Sequence, residues 1–269
     1  MARSVQWFCH RSLNALFTAE AGGKMNNALM VGLTRQMVLR RQMDVTANNI
    51  ANMSTAGFKV EKLLLRNVSA GPATALGGTS PISFVQDTGV TRRFSDGKIE
   101  KTGRALDLAL SGPGFFVIET PNGERYTRDG RFAVNDVGIM TTADGMAVLD
   151  DGGAQITLDV NSAPPVITKE GSVQVGGLEV ARLDIANFEN LNSLTKVGEG
   201  RFKAPSNAAV LAVEKPVIMQ HFLERSNVVA IVEMSRLIET TRAYQSVSNM
   251  LSKAETLSQQ TIQRLGTVR

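Results

Sequence analysis

Apolar residues recur with helical periodicity at both ends of this chain and with strand periodicity between them. From Asn27 to about Asn52 there is no proline, and Gly32 is the one interior breaker. At 100° per residue, Leu29, Leu33, Met37, Met43, Ala47, Ile50 and Ala51 form one broad stripe. Val31, Val38 and Val45 form a second on nearly the opposite face. A surface helix of a monomer needs one apolar stripe. Two opposed stripes predict one face for an intrachain partner and one for a different molecule. A fully buried core helix is the alternative, and Arg35, Arg40, Arg41 and Asp44 fit it less well.

A second helix is predicted from Asn227 to about Leu265. Leu237, Tyr244, Leu251, Ser258 and Leu265 repeat every seven residues, and Thr240, Val247, Ala254 and Thr261 follow three behind. That is a coiled-coil seam softened by small and polar side chains. Such a helix is roughly 58 Å long, more than one small domain can cover, so it should pair with the first helix and project. Ile231, Met234 and Ile238 add an apolar patch off the seam. A plain intramolecular hairpin remains compatible with the same seam.

The middle reads as strands. Leu106–Leu110 alternates, and Phe115-Phe116-Val117-Ile118 is a buried-strand run. Turns recur at Asp96-Gly97, Asn122-Gly123, Asp129-Gly130, Asp144-Gly145, Asp151-Gly152, Glu170-Gly171 and Gly176-Gly177. Short strands without helices between them predict an antiparallel all-β domain, sandwich or barrel-like, and not a βαβ fold. Phe115 and Phe116 point to opposite sides, one ring into the β core and the other over the linker. The expected fold class is α+β: terminal helices pairing as a coiled-coil-like domain, with an antiparallel β domain inserted. Its parts are an N-terminal helix and motif at 25–60, a linker at 61–81 (loosest in the Gly/Ala/Pro/Ser-rich Ala70–Pro81), a β-rich domain at 82–222 and a C-terminal helix at 223–269.

Composition narrows the chemistry. With 43% apolar and 20% charged residues a real core can form, and no apolar run is long enough for an ordinary membrane span. The net charge of +4 comes from basic residues scattered among acids, with one Trp and two Tyr for base stacking, which argues against a nucleic-acid partner. Two His and one Cys make a metal or thiol site a poor expectation. Gly112-Pro113-Gly114 lacks the spacing of a phosphate loop and leads into a strand. His221, one of the two His, is a weak candidate for a general base. Glu119, Glu124, Asp129, Asp144, Asp150 and Asp151 sit at predicted turns, where solvated turn carboxylates are the default. Neither a cofactor nor a catalytic residue is expected.

Residues 1–24 hold the sole Trp and Cys, Trp7 and Cys9. His10, Arg11, Ser12 and Asn14 break the apolar stretch a signal peptide needs. The expectation is a disordered extension or a start-site artefact, with the native chain starting at Met25.

Three blocks carry a family resemblance. Gln42–Lys59, with Ala47-Asn48-Asn49-Ile50-Ala51-Asn52 followed by Thr55, Gly57, Phe58 and Lys59, resembles the N-terminal signature of bacterial flagellar rod and hook proteins. Gly103–Gly138, including Leu106-Asp107-Leu108-Ala109, Gly114-Phe115-Phe116, Tyr126-Thr127-Arg128 and Gly130-Arg131-Phe132, resembles their shared β motif. Leu223–Val228 through Glu233-Met234 to Arg242-Ala243-Tyr244-Gln245 resembles their C-terminal signature.

The resemblance implies a non-enzymatic structural subunit of the periplasm-spanning rod. It would leave through the flagellar type III export apparatus without a cleaved signal and without inserting in the membrane. Its partners would be other rod subunits and its own copies, with the terminal helices lining a channel and transmitting torque. Met25 to Arg269 is 245 residues, too short for the hook subunit, and the proximal-rod type fits best. A distal-rod subunit is the alternative within the family, and a peptidoglycan-acting enzyme is the alternative outside it.

The residues expected at helix interfaces are Leu29, Leu33, Ile50 and the second-stripe Val31, Val38 and Val45 on the first helix, and Leu237, Tyr244, Val247, Leu251 and Leu265 on the second. Asn48, Asn49 and Asn52 join them. Asn48 and Asn49 are poor helix formers in mid-segment, so their amides should either cap backbone groups or bind a neighbouring subunit. Gly57 is expected at a left-handed helix exit, and Ser226 or Asn227 at the N-cap of the second helix. Val38→Asp is expected to block incorporation and leave the β domain folded.

Overall fold

A computed structural model describes residues 29–70, 82–159, 163–213 and 216–266; residues 1–24 and the core of the expected linker, 71–81, lie outside that set. Helix α1 spans residues 29–51 and helix α2 spans Ala230–Gly266. Between them every strand pairing with a resolved register is antiparallel. This is the expected α+β class, with terminal helices before and after the β structure in the chain and no barrel among the described strands. The contacts divide into two compact units.

Among the described residues, the helical unit takes in 29–47, 62–70, 82–90 and 234–266. A Cβ on Gly32 would lie 2.7 Å from Leu251 Cδ2, so the helix backbone approaches its partner closely there. The Thr241 hydroxyl donates to Met43 Sδ at 3.6 Å. Residue 32 faces 251 and residue 43 faces 241, so α1 and α2 run antiparallel. Beside them, β1 (Glu61–Ala70) pairs with β2 (Ile82–Arg92), and the Thr88 hydroxyl donates to the Leu64 carbonyl at 2.9 Å. Residues 61–70 are therefore a strand and not linker. The run Leu63-Leu64-Leu65 and Val68 has strand propensity that the Gly/Pro-rich segment after it lacks.

The β unit takes in Asn48–Glu61 and Thr91–Glu233. Its main sheet is centred on Phe115–Thr120, which pairs with Gly123–Thr127, with Ala147–Val148 and, through Ile185 and Ala186, with Ile185–Phe188. Successive side chains of the central strand point to opposite faces, and each face has its own core. Phe116 stacks edge-on to Phe132 (centroids 5.1 Å apart) among Leu108, Ile118, Met140, Val148, Val173 and Ile218. Phe115 sits among Phe94, Phe188 and Phe202, all within 6.1 Å. Phe115 thus fills a second core beside Phe94, Phe188 and Phe202, while the core of the expected linker lies outside the described residues. Val217–Gln220 pairs with Leu108–Ser111, and Phe222–Glu224 with Ile99–Lys101. The chain at 222–224 is accordingly strand, and helix begins only at Ala230.

Candidate assembly interface

The asparagines of α1 settle into the chain itself. Asn49 is fully buried. Its Nδ2 donates to the Glu61 carbonyl at 2.8 Å and to Glu233 Oε2 at 3.0 Å, and its Oδ1 accepts from Glu61 N at 2.9 Å. Asn48 Nδ2 donates to Glu61 Oε2, and Asn52 Nδ2 turns back to the Asn48 carbonyl. Of the two roles open to Asn48 and Asn49, these are the intrachain one. Asn49→Leu should cost about 1–3 kcal/mol, because Glu61 and Glu233 lose buried partners; the midpoint of urea unfolding measures it.

A second polar cluster lies nearby in the β unit. Lys59 Nζ donates to Glu224 Oε1 at 2.6 Å and to the Ser95 carbonyl at 3.0 Å. Arg128 reaches Glu224 Oε2 at 3.3 Å and the Gly112 carbonyl at 2.6 Å, and lies 5.4 Å from the centre of the Phe115 ring. Gly97 N–H completes the set on Glu224 at 2.7 Å. The Lys59 and Glu224 side chains are each 1% exposed and that of Arg128 4%. Burial holds the Lys59 ammonium below its usual pKa, against the opposing pull of Glu224.

Gly57 adopts φ +67°, but α1 has ended by residue 51, so it is no helix C′ position. Its left-handed turn lets the backbone pass against Arg128 and lets Gly57 N–H donate to the Glu224 carbonyl at 2.8 Å. Nor does Asn227 cap α2: its Oδ1 accepts from Val60 N, and its Nδ2 donates to the carbonyls of Arg93 and Ser95. Ser226 Oγ accepts from Val228 N instead.

The expected interface residues fall into three groups. On α1, Val38 and Val45 are buried within the chain and Val31 is half-buried, so the second stripe faces inward. Leu29 and Ile50 are half-buried, whereas Leu33 is exposed together with Met30 and Met37. Periodicity showed two stripes but carried no sign of which one its own chain would cover. On α2, Leu237, Tyr244, Val247 and Leu251 are half-buried along the seam, while Leu265 is 61% exposed. Val38→Asp therefore places a carboxylate in the chain's own interior. It should lower the stability of the helical unit by several kcal/mol, seen as loss of helix signal in circular dichroism at lower temperature.

Several of the groups considered for chemistry have structural partners. His221 has φ +69°, with Nδ1 3.1 Å from the Arg104 carbonyl, and joins two strands. Asp150 Oδ1 accepts from Gly152 N and Ala154 N in a turn, and Asp129 pairs with Arg131. Gly112-Pro113-Gly114 is a turn whose first carbonyl receives Arg128. Among the described residues no group of three or more His, Cys, Asp or Glu could hold a metal, and no helix is long and apolar enough to cross a membrane. Asp184 is held above the usual carboxylate range by burial and by Glu124, Asp151 and Asp150. A raised carboxyl pKa lowers stability once the pH passes that of the unfolded chain. Asp184→Asn should therefore raise the melting temperature at neutral pH and lose that advantage below the ordinary aspartate pKa.

Comparison with known proteins places these segments. The family model "Flagella basal body rod protein" matches residues 29–59, "Flagellar hook protein FlgE/F/G D1 domain" matches 109–175, and "Flagellar basal body rod FlgEFG protein C-terminal" matches 219–264. The flagellar basal-body rod protein FlgF of Caulobacter vibrioides is 47% identical over 244 residues, covering 91% of this chain and 100% of that protein. The chain belongs to the flagellar basal-body rod proteins. FlgF of Mesorhizobium japonicum is 32% identical over 90% of this rod protein and 99% of its own length. FlgG of Caulobacter vibrioides is 34% identical over 88% and 98%. Each of the three matched segments supplies one charge of the buried cluster in this rod protein: Lys59, Arg128 and Glu224.

Proposed function

We propose that this chain is a structural subunit of the flagellar basal-body rod, of the proximal FlgF type. The observation that carries the reading is the match to FlgF of Caulobacter vibrioides along that protein's whole length, at 47% identity against 34% for FlgG of the same organism. In this reading the chain leaves through the flagellar type III export apparatus and assembles with other rod components. Its helical unit forms part of a stiff wall around a channel and passes torque along it. Exposed apolar side chains on both helices, Met30, Leu33 and Met37 on α1 and Leu257, Ile262 and Leu265 on α2, fit a subunit that acquires neighbours. Its mechanism is mechanical, and no side chain performs covalent chemistry.

The test is a deletion strain with isolation of basal bodies. The tagged chain should copurify with them, and cells lacking it should be non-motile and carry no distal rod beyond the missing segment. A motile deletion strain with a complete rod, or cleavage of purified peptidoglycan by the protein, would overturn the reading.

A further inference from the structure

The β unit consists of two stretches of chain, Asn48–Glu61 and Thr91–Glu233, so the polypeptide passes its boundary at four places: before Asn48, after Glu61, before Thr91 and after Glu233. Among the described residues, three side chains of the β unit tie these four ends to one another, and each joins a different set. Asn49, beside the first passage, holds the second through the backbone N–H and carbonyl of Glu61 and the fourth through Glu233 Oε2. Glu61, at the second passage, holds the first through Asn48 Nδ2 at 3.1 Å and the third through Arg92 Nε at 3.0 Å. Asn227, near the fourth, holds the second by accepting from Val60 N at 2.7 Å and the third by donating to the carbonyls of Arg93 and Ser95. Backbone bonds repeat two of these links: Arg93 N–H donates to the Val60 carbonyl at 3.1 Å, and Asn227 N–H to the Phe58 carbonyl at 3.3 Å.

Ends held separately could shift one at a time. These cannot. Asn49 and Asn227 each engage the amide oxygen and both amide hydrogens, so neither can turn to follow one partner without giving up the others. Asn49 is fully buried, and no water stands ready to replace a partner there. Glu61 is held from the other side by Lys196 Nζ at 3.2 Å, which also lies 4.7 Å from the centre of the Phe58 ring. Arg92 donates onward to the carbonyl of Leu194, a member of the second core, which anchors the third passage in the body of the β unit.

We infer that Asn49, Glu61 and Asn227 form a load-sharing clamp: a pull on any one of the four passages is spread over all four before it reaches the sheet. The inference deepens the rod reading and rests on it, since only there does force run along the subunit. Stability alone asks that each end be fixed to the β unit, which backbone bonds to the nearest strand would do. Fixing the ends to each other does something more. Bonds loaded in parallel each carry a fraction of the force, whereas bonds loaded in turn break one by one. The three hubs are positioning residues, and no ligand or reaction is implied.

Two measurements test it. In purified full-length protein, Asn227→Ala should speed amide exchange about tenfold or more at Glu61, whose N–H is bonded to Asn49 and not to Asn227. Glu61→Gln should do the same at Asn227, whose N–H is bonded to the Phe58 carbonyl. Phe132→Leu, in the core around Phe116, is the control. With urea added so that all three variants have equal overall stability, the control should leave both amides protected. Acceleration confined to groups that lose their own partner, or equal acceleration in the control, overturns the clamp. In cells, both clamp variants should swim normally in plain medium and lose motility in medium thickened with methylcellulose, where the load is higher, while Phe132→Leu swims in both. Full motility in thickened medium, or equal loss in both media, overturns load sharing. Exchange is read on purified protein, so the clamp can fail in a chain that copurifies with basal bodies and can hold in one that never enters them.

Discussion

Replacing Glu224 with alanine is expected to unfold the β unit under conditions in which the unaltered chain stays folded. Among the described residues Glu224 is the sole carboxylate in hydrogen-bond contact with the buried Lys59 and Arg128, and it also receives the Gly97 N–H. Asp96, the other acid near Arg128, is 3.8 Å away and 46% exposed, too distant and too well solvated to take over. The alanine variant would bury two uncompensated cations and orphan a backbone donor. Removing one partner of a buried pair costs about 3–5 kcal/mol. At a urea slope of about 2 kcal/mol/M that is a midpoint shift of roughly 2 M. Glu224→Gln keeps the shape and one acceptor but removes the charge, so it should fall between the two. A Glu224→Ala midpoint within about 0.5 M of the unaltered chain would show that the cluster contributes little.

Gly57→Ala is expected to be nearly as damaging, although it adds a single methyl group. At φ +67° the added Cβ would lie 2.4 Å from the Arg128 carbonyl carbon and 2.7 Å from Asp129 N. Those are backbone atoms fixed by the sheet and cannot turn aside. The left-handed conformation costs a non-glycine residue about 1–2 kcal/mol, and overpacking adds about 1–3. A total near 3 kcal/mol is expected, read from the same urea curves. Gly32→Ala is the control. Its Cβ would also come within 2.7 Å of a neighbour, but that neighbour is the methyl end of Leu251, which has other rotamers. Alanine also gains about 1 kcal/mol of helix propensity over glycine, so the net change at position 32 should be small. Equal losses at 57 and 32 would contradict this distinction between backbone and side-chain contact.

The fold was legible where a period was long enough to read. The seven-residue seam of α2 located the face that meets α1 as far as Leu251, because a helix repeats its geometry over many turns. Strand order was not legible, since the pairing of Ile185 with Phe116 or Phe222 with Lys101 depends on contacts between distant segments that local pattern does not encode. The stripes of α1 were visible, but burying Val38 while exposing Met37 depends on the β1–β2 hairpin, whose first strand was expected as linker. The asparagines were recognised as needing partners, and only the tertiary structure supplied Glu61 and Glu233. Least legible was the charged cluster. Lys59, Arg128 and Glu224 each fall in one of the three blocks that carry the family resemblance, but nothing local distinguishes a lysine that will be 1% exposed from its neighbours or joins the three into one cluster.

The lysine and glutamate of the buried cluster are 165 positions apart in the chain. A polypeptide synthesised from its N-terminus holds Lys59 and Arg128 long before their counter-ion exists, and two cations will not leave water without it. Final closure of this unit is thus deferred until nearly all of the chain has left the ribosome.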